Sequence, residues 1–190
     1  MEYDKKFLII GNINSVSYKE VFPYIMNNKM WIGLSISSGD RKFFVPDDYP
    51  LNASGCGVDS DGKRYIRVKG VRWFTNLDIS KRNEEMDLVC RYSPEEYPSY
   101  VNYQAIDVSK TADIPFDYTG LMGVPITFLD KYCPNQFEII GHSLELADMN
   151  IIKKELGKLN GGPRFYVREH GQLCRKFERI IIRNKHPQIL

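Results

Sequence analysis

Lys6-Phe7-Leu8-Ile9-Ile10-Gly11-Asn12 is a short apolar run of β-forming residues that stops at a Gly-Asn pair. Such a run fits a strand buried on both faces of a parallel sheet. Ser17-Tyr18-Lys19-Glu20 follows with the spacing of a capping box, in which the serine hydroxyl and the glutamate satisfy backbone donors, and predicts a helix from there to about Asn27. Pro23 falls inside that span, where it removes a hydrogen bond and crowds the preceding turn, so a kink or a late start is expected. Met30-Trp31-Ile32-Gly33-Leu34-Ser35-Ile36 returns as a second strand. The opening therefore reads as a strand-helix-strand unit of a parallel or mixed sheet. Two such strands alone would be poorly covered, which points to sheet neighbours upstream.

After Ser37-Ser38-Gly39-Asp40 turn formers multiply and helical periodicity disappears. Asp59-Ser60-Asp61-Gly62 predicts a hairpin turn into Lys63-Arg64-Tyr65-Ile66-Arg67-Val68-Lys69-Gly70-Val71-Arg72-Trp73-Phe74, whose polar and apolar residues alternate until Gly70. That is a half-exposed strand with one basic face. Residues 80–118, rich in Pro, Tyr and acidic groups, read as a long surface excursion. Val124–Leu129 and Gln136–Gly141 are two apolar runs around a turn at Cys133-Pro134-Asn135. Asp148 can cap a helix with Ile152, Leu156 and Leu159 on one face, weakened by Gly157 and ended at Asn160-Gly161-Gly162-Pro163. Arg164–Val167 and Phe177–Arg183 are expected as two strands joined across Glu169-His170-Gly171-Gln172.

At 190 residues, with 43% hydrophobic and 26% charged residues, the chain can bury one sizeable core. No apolar run approaches the length of about 18 residues that suggests a membrane span, and the first residues lack the pattern of a signal peptide, so a cytoplasmic protein without a membrane partner is expected. The cysteines Cys56, Cys90, Cys133 and Cys174 lie 34, 43 and 41 residues apart, too far for the close pairs of structural zinc sites, and read as reduced thiols. No metal ligands are assigned.

The net charge of +2 conceals segregation. Residues 1–40 balance, residues 41–82 carry nine basic against five acidic groups, residues 83–148 three against twelve, and residues 149–190 ten against three. Two basic regions flank an acidic one, and folding could unite the basic surfaces against a polyanion.

No G-x-S-x-G elbow, Walker loop, H-E-x-x-H pair or G-x-G-x-x-G fingerprint is present; Gly55-Cys56-Gly57 lacks the third glycine and the helix. His142, His170 and His186 read as surface or turn residues. The strongest positive feature is the Lys63–Phe74 stretch, where Lys63, Arg64, Arg67, Lys69 and Arg72 interleave with Tyr65, Trp73 and Phe74. Cations neutralise phosphates and aromatic faces stack on unpaired bases, so the mixture suits nucleic acid. The plain alternative is an amphipathic strand with core aromatics and solvated charges. The tail adds Arg164, Arg168, Arg175, Lys176, Arg179, Arg183 and Lys185, either a phosphate clamp or the charged face of an edge strand.

Several phrases, in order along the chain, resemble the EcoRI-type adenine-specific DNA methyltransferase family. They are Lys6–Asn12, Trp31-Ile32-Gly33, Val45-Pro46-Asp47-Asp48-Tyr49-Pro50-Leu51-Asn52, Ile66–Asp78, Gly123–Tyr132, Gln136–Gly141 and Arg179-Ile180-Ile181-Ile182-Arg183. Residues 83–118 and 142–176 match more loosely. The resemblance implies methyl transfer from S-adenosylmethionine to N6 of adenine in double-stranded DNA, as half of a restriction-modification pair. The base must leave the stack for this chemistry. Family members use a glycine-bearing donor loop and an Asn-Pro-Pro-Phe-type motif. This sequence has no Pro-Pro pair and no such loop before its first strand, so no catalytic and no cofactor-binding residue is carried over.

The fold class expected is α/β: an incomplete Rossmann-like methyltransferase sheet over residues 1–38, built as strand-helix-strand, then a mostly β, loop-rich target-recognition and DNA-binding region over residues 39–190. The expected partners are duplex DNA and an upstream methyltransferase segment, without which the chain is expected to be inactive. The DNA-contact candidates are Arg41, Lys42, Arg67, Lys69, Arg72, Trp73 and Asn76, because Arg and Asn read base edges in pairs while Lys holds phosphate. Trp31 and Trp73 are candidates for the space near a flipped base, with core packing the better role for Trp31. The alternative function is a non-catalytic DNA- or RNA-binding module.

Overall fold

In the computed structural model, which describes residues 5–34, 40–52, 55–159 and 161–188, the long basic stretch divides at Gly70. Gly70 has φ +65°, a left-handed conformation that suits a residue without Cβ, and the chain turns there from one sheet into another. Before it lies β5 (Arg64–Lys69), the centre of a three-stranded antiparallel sheet between β3 (Asp40–Phe44) and β4 (Cys56–Val58). After it lies β6 (Val71–Thr75), which belongs with β1 (Leu8–Asn12) and β2 (Trp31–Ile32). The Asp59–Gly62 turn forms as expected, with the Asp59 carboxylate accepting from the backbone N–H groups of Asp61 and Lys63.

β6 stands between β1 and β2 and runs antiparallel to both, pairing Leu8 with Thr75 and Ile32 with Phe74. The two opening strands are thus separated by a strand from beyond residue 38, and the sequence division at 38/39, which lies outside the described residues, does not follow sheet membership. Ser35 and Ile36 of the expected second strand also lie outside them. Nor is β1 buried on both faces here: Leu8, Ile9 and Ile10 are 54%, 55% and 43% exposed. The helix is shorter than the capping-box reading. A 3₁₀ turn spans Ile13–Ser17, and α1 covers only Phe22–Met26, with Pro23 in its first turn where its missing N–H costs nothing. The Ser17 hydroxyl is engaged by Glu178 instead of capping a helix.

β12 (Arg179–Asn184) is a strand buried on both faces, third in the order β7-β8-β12-β9 with β7 (Ile106–Asp107), β8 (Leu121–Pro125) and β9 (Phe137–His142). Successive side chains of a strand point to opposite faces. Accordingly Ile180 and Ile182 enter a large core with Phe22, Ile25, Phe128 and Phe137, while Ile181 enters a second with Tyr100, Phe165 and Val167. The hairpin across His170-Gly171 joins β10 (Tyr166–Glu169) not to the expected Phe177–Arg183 strand but to β11 (Gln172–Arg175), an additional strand that the sequence did not predict. The interior position of β12 excludes the edge-strand reading for Arg179 and Arg183, whereas Arg168 and Arg175 lie on the two-stranded β10-β11 sheet.

Residues 80–118 are not a surface excursion: Tyr97, Tyr100, Ile106, Val108 and Ile114 are buried. Their apolar residues follow no regular period because the segment is held by individual hydrogen bonds. The Gln136 amide, for example, accepts from the Met86 N–H and donates to its carbonyl. A second helix is a single turn over Ser143–Leu146, and α3 (Met149–Leu156) starts on the Asp148 cap and stops at Gly157, φ +70°. Of its expected apolar face only Ile152 is buried in the helix itself, and Leu159 falls beyond its end. No helix among the described residues is long and apolar enough to cross a membrane.

Candidate nucleic-acid interface

Cross-strand partners in an antiparallel pair share a face of the sheet. In β3 and β5 the register pairs Asp40 with Lys69, Lys42 with Arg67 and Phe44 with Tyr65, so Lys42, Arg67, Lys69, Phe44 and Tyr65 lie on one face. The alternating positions Arg41, Phe43, Arg64, Ile66 and Val68 lie on the other. The sequence predicted one basic face for this stretch, and the register adds Lys42 to it from another strand.

That face is both cationic and aromatic. Lys42 Nζ sits 4.0 Å from the centre of the Tyr65 ring, Lys63 Nζ 5.7 Å from that of Phe44, and the Arg67 guanidinium 5.9 Å from that of Tyr65. Rings under the cations hold long side chains over the sheet without neutralising them. Lys42, Arg67 and Lys69 are exposed, as is Phe44. Phe44 was not among the candidates; the period-two run Asp40-Arg41-Lys42-Phe43-Phe44 was the available signal, obscured by the turn formers before it. On the opposite face, which also carries Arg41 and Arg64, the apolar Phe43, Ile66 and Val68, with Ile10, Gly11 and Val71, line an open groove of about 420 Å³.

The other candidates are placed differently. Arg41 is half-buried on the apolar side, donating to the Asp40 carbonyl. Arg72 is 4% exposed, and its guanidinium grips Asp130. Asn76 bridges to the chain before β1, accepting from the Phe7 N–H at 2.9 Å and donating to the Lys5 carbonyl at 2.9 Å. Trp73 is half-buried on β6, its Cβ so near Gly33 that a Cβ there would lie at 2.9 Å. Trp31 donates its indole N–H to the Leu77 carbonyl and carries the Arg82 guanidinium 4.1 Å from its ring centre.

The basic tail is largely neutralised from within. Arg164 pairs with Glu178, Arg168 with Glu155, Lys176 with Asp107 and Glu169, Arg179 with Asp107, and Arg183 with Glu138. Asp107 and Arg179 are buried, and the Tyr100 hydroxyl also donates to Asp107. Burial, and after it the Asp107 carboxylate, raises the Tyr100 pKa, so the phenol stays protonated. These pairs brace the four-stranded sheet, and a phosphate clamp would have to compete with every one of them. His142, expected at the surface or in a turn, is 4% exposed and packs edge-on against Phe22, ring centres 4.4 Å apart.

No group of His, Cys, Asp and Glu among the described residues converges as a metal site, and Cys56, Cys90, Cys133 and Cys174 form no disulfide with one another. Two open cavities lack free charges to match a methyl donor with charged amino-acid and sulfonium groups. The apolar groove beside β1 offers no ionisable side chain, and the cations Arg164 and Arg179 that line the larger cavity near Phe177 are already paired.

Residues 1–185 match the family described as adenine-specific methyltransferase EcoRI. Among curated proteins, the chain is 50% identical over 142 residues to the type II methyltransferase M.EcoRI of Escherichia coli, covering 74% of this chain and 44% of that one. It is 38% identical over 144 residues to M.MgeORF184P of Mycoplasma genitalium and 36% over 143 residues to M.MpnI of Mycoplasma pneumoniae, covering 45% and 44% of those proteins. The chain thus spans less than half the length of these relatives. No solved structure matches significantly.

Proposed function

This chain belongs to the EcoRI-type adenine-specific methyltransferase family, and from that premise we propose that it is the C-terminal part of a DNA adenine-N6 methyltransferase of a restriction-modification system. Its own task is to hold duplex DNA while the methyl donor, S-adenosylmethionine, and the catalytic motif are supplied by another segment. The observation that carries this reading is the exposed cation-aromatic face of β3 and β5. Lys42, Arg67 and Lys69 stand together on one face with no carboxylate paired to them by a salt bridge among the described residues, as cations that neutralise phosphates would. Arg41, on the same strands but turned to the other face, and Trp73, on β6, are more distant supports. Arg72 and Asn76 act by fixing β6 and β1. The recognition region therefore begins after residue 38 with β3, although β6 returns to the first sheet.

The partner segment has a place to join. β1 is an edge strand whose outer backbone groups a further strand would pair, and Leu8, Ile9 and Ile10, alternating between its two faces, are at half exposure or near it and would extend the apolar surface of a larger sheet. Such a strand would extend β1-β6-β2 into a larger Rossmann-like sheet. The enzyme would act on DNA in the cytoplasm.

Incubation of the isolated chain with radiolabelled donor and duplex DNA, with and without the preceding half of a family member, tests the division of labour. The expected result is DNA binding without methyladenine from the chain alone and methyladenine from the combination. Methyladenine from the chain alone overturns it.

A further inference from the structure

The chain changes character across Gly70. In β6, Val71, Arg72, Phe74 and Thr75 are buried, whereas none of the described residues between 40 and 70 is. The β3-β5-β4 sheet therefore has no core of its own. At its joint with the first sheet the Lys69 carbonyl accepts from the Asn12 side chain at 2.8 Å and the Gly70 carbonyl from the Ile13 N–H at 2.6 Å. A small sheet with one solvated face depends on a cover for the other. That other face, with Phe43, Ile66 and Val68 half-buried, is one wall of the groove of about 420 Å³, and Ile10, Gly11 and Val71 form the facing wall.

The lining selects an apolar occupant. It holds no ionisable side chain, and its polar side chain, Asn12, is engaged by the Lys69 carbonyl and the Asn14 N–H. The position indicates where that occupant comes from. β1 runs from Leu8 to Asn12 at the edge of its sheet, and the groove lies at the Ile10–Asn12 end, the carboxyl end of the strand. β1 and β2 both run antiparallel to β6 and so parallel to each other; a further parallel strand beside β1 would deliver its following loop to this same end. More than half the length of M.EcoRI, M.MgeORF184P and M.MpnI lies outside the stretch that this chain matches, enough to supply such a strand and loop.

We propose that the groove seats an apolar loop of the preceding methyltransferase segment, the loop that follows the strand paired with β1. The inference rests on the reading of this chain as the C-terminal part of the enzyme. It makes the β3-β5-β4 sheet a partition, with DNA on its cationic face and that loop on its apolar one. The test is hydrogen exchange at the β5 and β12 amides of this chain alone, with duplex DNA, and with the preceding half of a family member. Alone, β5 should exchange faster than β12, because local opening follows the lack of buried apolar contacts. The preceding half, without DNA, should slow β5 about tenfold, the worth of covering one aliphatic side chain. Ile10→Asp and Val68→Asp should each abolish that slowing and leave the affinity of the chain alone for duplex DNA unchanged. Ile10 is 43% exposed, so its variant should keep the melting temperature of the unsubstituted chain. If the preceding half does not slow β5 yet the mixture forms methyladenine once donor and DNA are added, the groove reading is overturned and the division of labour stands. Slowing by duplex DNA alone but not by the preceding half, or slowing that survives both variants, overturns the groove reading too. A mixture with neither slowing nor methyladenine overturns both.

Discussion

Arg72 and Asp130 meet fork to fork: Nε donates to Oδ1 at 2.7 Å and Nη2 to Oδ2 at 2.8 Å, and the two side chains are only 5% and 11% exposed. The pair pins β6, the centre of the first sheet, to the 3₁₀ turn Ile126–Lys131 that follows β8. Removing one partner leaves an uncompensated buried charge, which costs about 3–5 kcal/mol. Arg72→Ala should therefore lower the urea midpoint by that equivalent. A residue serving DNA alone would leave the midpoint in place.

Asn76 replaces a missing stretch of strand pairing with its own side chain, through bonds to Phe7 and Lys5. Asn76→Ala should cost about 1–2 kcal/mol for the two hydrogen bonds. It should also speed hydrogen exchange at the Phe7 amide while leaving the amides of β12 protected. Uniform loss of protection in both strands would show that the bonds brace the whole molecule instead.

Fold and site were legible in the sequence to different depths. The Lys63–Phe74 alternation and the Asp59–Gly62 turn marked β5 correctly, because one half-exposed hairpin strand is a local pattern. The pairing of β6 between β1 and β2 was not legible: it joins residues 59 to 67 positions apart with β1 and 42 or 44 apart with β2, and period-two signals carry no information on partners. Burial of Arg72 was hidden for the same reason, since the carboxylate that receives it is 58 residues away. The basic tail looked like a clamp because its carboxylates, Asp107, Glu138 and Glu155, belong to other segments.

His142 gives the stability a pH dependence with a definite sign. Its Nδ1 accepts from the Leu144 N–H, and Nε2 has no hydrogen-bond partner among the described residues. Burial disfavours the imidazolium and lowers the pKa below 6.5, with Glu145 and Glu178 opposing more weakly. The unfolded chain then binds the proton first. The contribution is complete above pH 6.5 and is lost as the pH falls from there through the folded-state value. Melting temperatures measured at pH 7.5 and pH 5.5 (about one unit either side of the ordinary value) should differ less in His142→Gln than in the unsubstituted chain. An unchanged difference would assign the acid sensitivity to other groups.

Lys42, Arg67 and Lys69 make no buried contacts, so their removal should alter stability by no more than about 0.5 kcal/mol. Their role is therefore separable from folding. The most direct measurement of the account is the salt dependence of duplex binding by the unsubstituted chain and by the triple variant Lys42→Ala, Arg67→Ala, Lys69→Ala. Each phosphate contact contributes about 0.9 to the slope of log affinity against log salt, so the variant should bind more weakly with a slope shallower by about 3. Identical affinities and slopes for the two proteins would contradict the claim that this face holds DNA.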